Sequence, residues 1–301
     1  MAKSNAYQEI LEMYPLVSYE EERARNGHVA LLSEENTEVI EGLTYSRRRY
    51  RIADGRETDV YLMILRPDAA AQLATSVCPL RTIKRVKDHA IDFDRKVLFA
   101  MNAGFFHFFN NGDLTPYGIQ VMHGVVMAEP GRDKVQYSTN WVGVLKDGTP
   151  VISDVDGYND TYRGKLDYAV GGGLVLIKDG EIRLHNDPEI DPRTAVAIAA
   201  DGTVILLNAD GRATRSAGLT YADMIEIYTS LGFKIRDLLN LDGGGSTTVV
   251  LREANGEYAV KNNASGPPLP ISYSKYGVKR PQPCGEEQAR AVADCLLIIE
   301  K

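Results

Sequence analysis

Residues 195–207 read AVAIAADGTVILL, two apolar runs joined by Asp201-Gly202. Asp-Gly supplies the positive-φ positions that two-residue hairpin turns require, and the flanking runs have strand composition. The same unit occurs twice upstream: residues 141–145 and 151–152 flank Asp147-Gly148, and residues 174–177 and 182–184 flank Asp179-Gly180. The middle of the chain therefore reads as antiparallel hairpins. Their three aspartates are turn formers and carry no functional weight.

Working outward, residues 60–65 and 96–101 read as strands, with a helix expected over 79–90 between them. Residues 220–231 form the clearest helix. Thr220 and Asp223 make a capping box, Tyr221, Met224, Ile225, Tyr228 and Leu231 form one apolar stripe, and Gly232 ends it. Strands follow at 237–241, 249–251 and 291–299. Strands outnumber helices and hairpins outnumber crossovers. The expected fold class is α+β, a mixed and mostly antiparallel sheet with a few packed helices. Residues 41–301 are expected to make one domain. Residues 1–40 read as an N-terminal appendage, a docking arm. In it Tyr7, Ile10, Leu11 and Tyr14 recur at helical spacing, and Ser18 with Glu21 opens a second helical stretch.

Composition removes several function classes. The 301 residues are 44% hydrophobic and 25% charged, ordinary for a globular protein. Lys+Arg 34 against Asp+Glu 41 leaves a net charge of −7, which argues against a nucleic-acid binder, since that would need a basic face to displace phosphate counterions, and no nucleic-acid partner is expected. No apolar stretch is long enough to span a membrane. The N-terminus has no apolar secretory core, and the expected location is cytoplasmic. Cys78, Cys284 and Cys295 fit no zinc spacing and read as reduced thiols, Cys295 buried in an apolar run. The five histidines do not cluster. Arg47-Arg48-Arg49 and the Lys84-Arg85 pair with Lys87 read as solvated faces.

Four segments do not look like ordinary turns. Asn102-Ala103-Gly104-Phe105-Phe106 follows a buried strand, and Gly171-Gly172-Gly173 lies between apolar runs. Asp191-Pro192-Arg193-Thr194 enters a strand whose hairpin partner ends in Asn208-Ala209-Asp210-Gly211-Arg212. The fourth is Asn240-Leu241-Asp242-Gly243-Gly244-Gly245-Ser246-Thr247-Thr248. Consecutive glycines cost backbone entropy, and such a run suits bare N–H groups that must reach an anion. A glycine run is also a sharp bend. This one is neither a Walker loop nor a dinucleotide fingerprint, and it makes no nucleophile elbow. Arg193 and Arg212 can supply the bidentate fork that phosphate oxygens accept. Together these parts suit a phosphorylated or sugar-phosphate ligand.

In this order the segments resemble the phosphodiester glycosidase family. The match runs through Asn102 to Phe106, Gly171 to Gly173, Pro192-Arg193-Thr194, Asp210-Gly211-Arg212 with Gly218, and the helix at 220–231. It culminates in Asn240 to Thr248. Asn262 or Asn263, Ser265 and Arg290 fit the family's closing segment loosely. His107 with Phe108-Phe109, and a longer stretch at 267–287, depart from the family pattern.

The resemblance implies hydrolysis of the glycosidic bond of a sugar-1-phosphodiester, giving free sugar and a phosphomonoester. It assigns Asp242, Asp210 and Arg193 as catalytic. Asn102, Gly104, Gly172, Thr194, Arg212, Gly243, Gly244, Gly245, Ser246 and Thr247 are assigned to substrate binding. The substrate is expected to be a small or polymeric glycosyl phosphodiester. No cofactor is required on this reading, although carboxylates and carbonyls would suit a structural Ca²⁺. Two other readings compete. A non-catalytic sugar-phosphate binding module would bind without turnover. A metal-dependent phosphoesterase would use Asp210 and Asp242 as ligands and release sugar phosphate.

Overall fold

A computed structural model describes residues 6–79, 82–108, 114–131, 135–265 and 289–301. Cys284, Phe109 and the stretch at 267–287 lie outside the described residues. Among the described residues, every strand pairing is antiparallel.

The opening hairpin lies at the centre of an eight-stranded sheet, where Arg193–Ala199 pairs with Val204–Ala209 on one side and with Ile235–Leu241 on the other. Its run is apolar throughout because both faces are covered. Val196 and Ile198 enter a core shared with two five-stranded sheets, while Ala195 and Ala197 meet the helix side. One five-stranded sheet carries Val97–Asn102 between Val249–Arg252 and Asp294–Glu300. The other carries Asn140–Leu145 between Leu166–Gly172 and Pro150–Asp154. The α+β class holds. The helix Tyr221–Ser230 forms with its capping box complete, and Met224, Ile225 and Tyr228 are fully buried against the sheet.

The three Asp-Gly units make hairpins of two kinds. Only Asp179-Gly180 is a two-residue turn, with both residues at positive φ (53° and 85°). The other two are longer, and only the glycine is at positive φ. There Asp147 and Asp201 accept the N–H two residues on, each at 2.9 Å, and so close the loop through the side chain.

Two element boundaries differ from expectation. The helix expected over 79–90 is Val86–Asp92, because Lys84–Arg85 is drawn into a ladder with Ala291–Val292. The appendage boundary at residue 40 falls inside a hairpin: Ala30–Ile40 pairs with Leu43–Arg51 and forms the edge of the eight-stranded sheet. Its residues 30–38 are exposed on both faces, so no alternation marks it. Upstream, the helices Ala6–Met13 and Tyr19–Asn26 dock on the main body. Arg23 is 3% exposed and donates to Asp223 and Glu226, each at 3.0 Å.

Candidate active site

Several strand ends meet at one edge of the sheets. The register sets Thr194 opposite Asn208 and Leu241, and Cys295 opposite Asn102. The loop from Asp242 to Thr248 emerges there. Gly244–Ser246 makes a single 3-10 turn.

Asp242 is partly exposed. Burial pushes its carboxyl up to about 6, opposed by a hydrogen bond from Ser246 and by the charge of Arg290. Ser246 is fully buried and accepts from Arg290 Nη1 at 3.4 Å, so one hydroxyl links guanidinium and carboxylate. Arg212 comes from the opposite side. Its fork grips both oxygens of Asp191 at 2.9 and 3.1 Å, which fixes the guanidinium over Gly244. A Cβ on Gly244 would meet Arg212 Nη2 at 3.1 Å, and Gly244 also sits at φ +58°, so both space and backbone demand glycine.

The glycine loop is a partial anion cradle. The N–H of Gly244 goes to Pro192 O at 2.8 Å, and those of Ser246 and Thr247 return to Gly243 and Gly244. The N–H groups of Gly243 and Gly245 bond to no described residue. Two amides without a partner among the described residues thus follow Asp242 in the loop, and the charges of Arg290 and Arg212 act on its carboxylate, a donor set suited to a phosphoryl oxygen.

Other sequence-assigned residues lie elsewhere, or support the site from beneath. Arg193 is not in the cluster. Its guanidinium donates to Leu219 O (3.0 Å) and Glu189 O (2.6 Å), and stacks over Tyr221 at 4.4 Å. Asp210 is buried and fully used, by Tyr61 Oη, by Asn262 Nδ2 and by the Asn263 N–H, at 3.0–3.1 Å. It anchors the 262–263 loop, although burial raises its carboxyl to about 6. Asn102 does not present its amide to a ligand. Its Oδ1 accepts from Thr194, Asn208 and the Thr248 N–H at 3.1–3.3 Å, and its Nδ2 holds Asp242 O at 2.5 Å. Thr194 belongs to this same buried knot. Gly104 gives its N–H to Asp294 at 2.6 Å, and Gly172 is bare because a Cβ would strike Leu239 at 2.6 Å. Thr247 is buried and its carbonyl accepts from Asn262 at 3.0 Å. No three acidic, histidine or cysteine side chains gather as a metal site among the described residues.

Residues 95–299 match the sequence profile of the phosphodiester glycosidase family. The chain belongs to that family. Its fold is similar to the catalytic domain of zebrafish N-acetylglucosamine-1-phosphodiester alpha-N-acetylglucosaminidase, with a TM-score of 0.62 and 19% identity, covering 99% of this chain and 94% of that one. A hypothetical protein from Synechocystis is similar at TM-score 0.57 and 15% identity, over 90% of this chain and 64% of its own. A stretch of 99 residues is 40% identical to the SPbeta prophage-derived uncharacterized protein YomE of Bacillus subtilis. That match covers 31% of this chain and only 14% of the longer relative.

In this member of the phosphodiester glycosidase family, two residues near Asp242 do more than the sequence assigned them. Arg290, placed only loosely there, stands beside Asp242. Asp294 was missed. It is fully buried, holds Gly104 N–H and Gln120 Nε2 (2.8 Å), and is raised to about 6 by burial. An Asp opening the apolar run 294–299 was the available signal, since a buried charge in such a run is kept only with dedicated partners.

Proposed function

We propose that the protein hydrolyses the bond between a sugar's anomeric carbon and a phosphodiester oxygen. Water adds its hydroxyl to the anomeric carbon and gives its other proton to a base, the carbon–oxygen bond breaks, and the phosphomonoester leaves with the bonding pair. The observation that carries this reading is the donor set beside Asp242: the Gly243 and Gly245 amides, which have no partner among the described residues, with Arg212 and Arg290, whose charges act on its carboxylate. Family membership supports the reaction class, and the activity named for the zebrafish relative supports the bond chosen.

Charge dictates the division of labour. Positive charge grows on the sugar ring and negative charge on the departing phosphate. A phosphate leaves readily, so stabilising its oxygens matters more than protonating them. The amides and guanidiniums take that role. Asp242 faces the anomeric side, as nucleophile or as the base that activates water. Either role needs the carboxylate, so activity falls as pH drops through about 6.

The deciding experiment incubates the protein with a panel of sugar-1-phosphodiesters and identifies products by mass. Free reducing sugar supports the proposal. Sugar phosphate, abolished by EDTA, supports the phosphoesterase reading. Calorimetric binding without any product leaves the binding module.

Ser246→Ala tests the role of the hydroxyl bridge. Its hydrogen bond favours the charged form of Asp242. Removing it raises the carboxyl further, and the acid limb of the kcat/KM profile moves to higher pH. An unshifted limb would show that Ser246 does not tune Asp242.

A further inference from the structure

Asp242 rests on the segment that ends the buried strand Val97–Asn102. Its N–H donates to Ala103 O at 2.9 Å, and its carbonyl accepts from Asn102 Nδ2 at 2.5 Å. The next residue, Gly104, gives its N–H to Asp294 Oδ1 at 2.6 Å. A Cβ on Gly104 would stand 3.0 Å from both Asp294 oxygens, so the backbone lies directly against that carboxyl. Asp294 Oδ2 accepts from Gln120 Nε2 at 2.8 Å, which ties the segment to the other five-stranded sheet. One carboxyl thus anchors the stretch that grips the Asp242 backbone at its N–H and its C=O.

These bonds do not need a charge. An Asn in this place could accept from Gly104 N–H and, with the Gln120 amide turned over, donate to Gln120 Oε1. Both donors are neutral, and among the described residues no cation pairs with Asp294. A fully buried carboxylate without a counter-charge costs folding free energy, so its charge calls for another use. That charge reaches Asp242 and raises its carboxyl, against the lowering by Arg290 and Arg212. The thiols of Cys295 and of Cys78, at the end of the neighbouring strand, are the other titratable groups acting near Asp294, and burial keeps both protonated.

We propose that Asp294 is a positioning residue for Asp242, acting through Gly104 on its backbone and through space on its carboxylate. The inference rests on the proposed hydrolysis only in taking Asp242 as the reacting group. A like charge nearby makes Asp242 hold its proton to higher pH, and a base is most effective when it titrates near the working pH. The two acids then lose their protons in steps that belong to the pair.

Two variants separate the two actions. Asp294→Asn keeps the bonds and removes the charge, whereas Asp294→Ala removes both. Carboxyl carbon NMR on the full chain, labelled at its aspartates, follows Asp242 directly, its signal being the one that Asp242→Asn abolishes. In Asp294→Asn the Asp242 midpoint is expected to fall by about one pH unit. That variant should melt no lower than the unaltered protein at about pH 8, where a buried charge costs stability, which excludes a loosened site as the cause. With a substrate that is turned over, its acid limb moves to lower pH, the reverse of Ser246→Ala. Asp294→Ala is expected to lower kcat by about 10²-fold, the cost of a misplaced group, and Asn in its place restores most of that. An unmoved midpoint in Asp294→Asn, a fall that comes with a lowered melting temperature, or equal kcat in the two variants overturns the proposal. The Asn variant carries the test alone if the Ala variant does not fold. Turnover with an unmoved midpoint removes the positioning and leaves the reaction. A lowered midpoint with no turnover of any phosphodiester removes the reaction and leaves the positioning.

Discussion

Asp242→Asn is expected to lower kcat for a glycosyl phosphodiester by about 10²–10⁴-fold, the usual worth of a positioned base, with KM little changed. The amide keeps the shape and the bond from Ser246 but holds no negative charge for the anomeric carbon or the attacking water. Steady-state kinetics on purified protein would read it, and full turnover by the variant would remove Asp242 from the mechanism. The same substitution has a signature in stability. The folded carboxyl is raised from 3.8 to about 6 by burial. A raised acid contributes stability below its unfolded value and loses it as pH rises through the folded one. Between about pH 4 and 6 the unaltered protein should therefore lose up to about 2 kcal/mol that the Asn variant keeps. Melting curves across that window should diverge as pH rises. Curves that stay parallel would mean Asp242 is not held at such a value.

Asn102→Ala is expected to cost about 3–5 kcal/mol of folding stability, because it strands several buried groups together at about 1–3 kcal/mol each. Thr248 N–H, Asn208 Nδ2 and Thr194 Oγ1 lose a common acceptor, and Asp242 O loses its donor. Thr194 and Asn208 keep their own bond at 3.1 Å, which holds the loss below the full sum. Activity should fall with it, since the Asp242 backbone is no longer held. Urea denaturation measures the first effect. A loss under about 1 kcal/mol would show that the knot is not what fixes the loop.

The parts of the fold legible in the sequence were those written locally. The hairpin at 195–207 shows in turn chemistry and apolar runs, and the helix at 221–230 in its cap and stripe. The strand Ala30–Ile40 was not legible, because a strand open to water on both faces has no hidden side to pattern. In the site, the glycine loop was legible because its entropy cost demands a reason. The roles of single side chains were not, since a residue type says nothing about direction. Arg193 and Thr194 show the missing step. Neighbours in a strand point to opposite faces, so they could not both serve one cluster. Thr194 enters the knot with Asn102, and Arg193 goes to the helix side with Ala195 and Ala197. Arg290 stands just outside the strand Ala291–Val292, so no strand register betrays its aim.

Asp223 divides its two oxygens between distant tasks. Oδ2 accepts from Thr220 and completes the helix cap, while Oδ1 receives Arg23 from the N-terminal arm. Trimming the chain at residue 40 would strip a buried acid of its counter-charge and cut through a paired hairpin at its turn. The arm and the start of that helix should consequently melt as one cooperative unit.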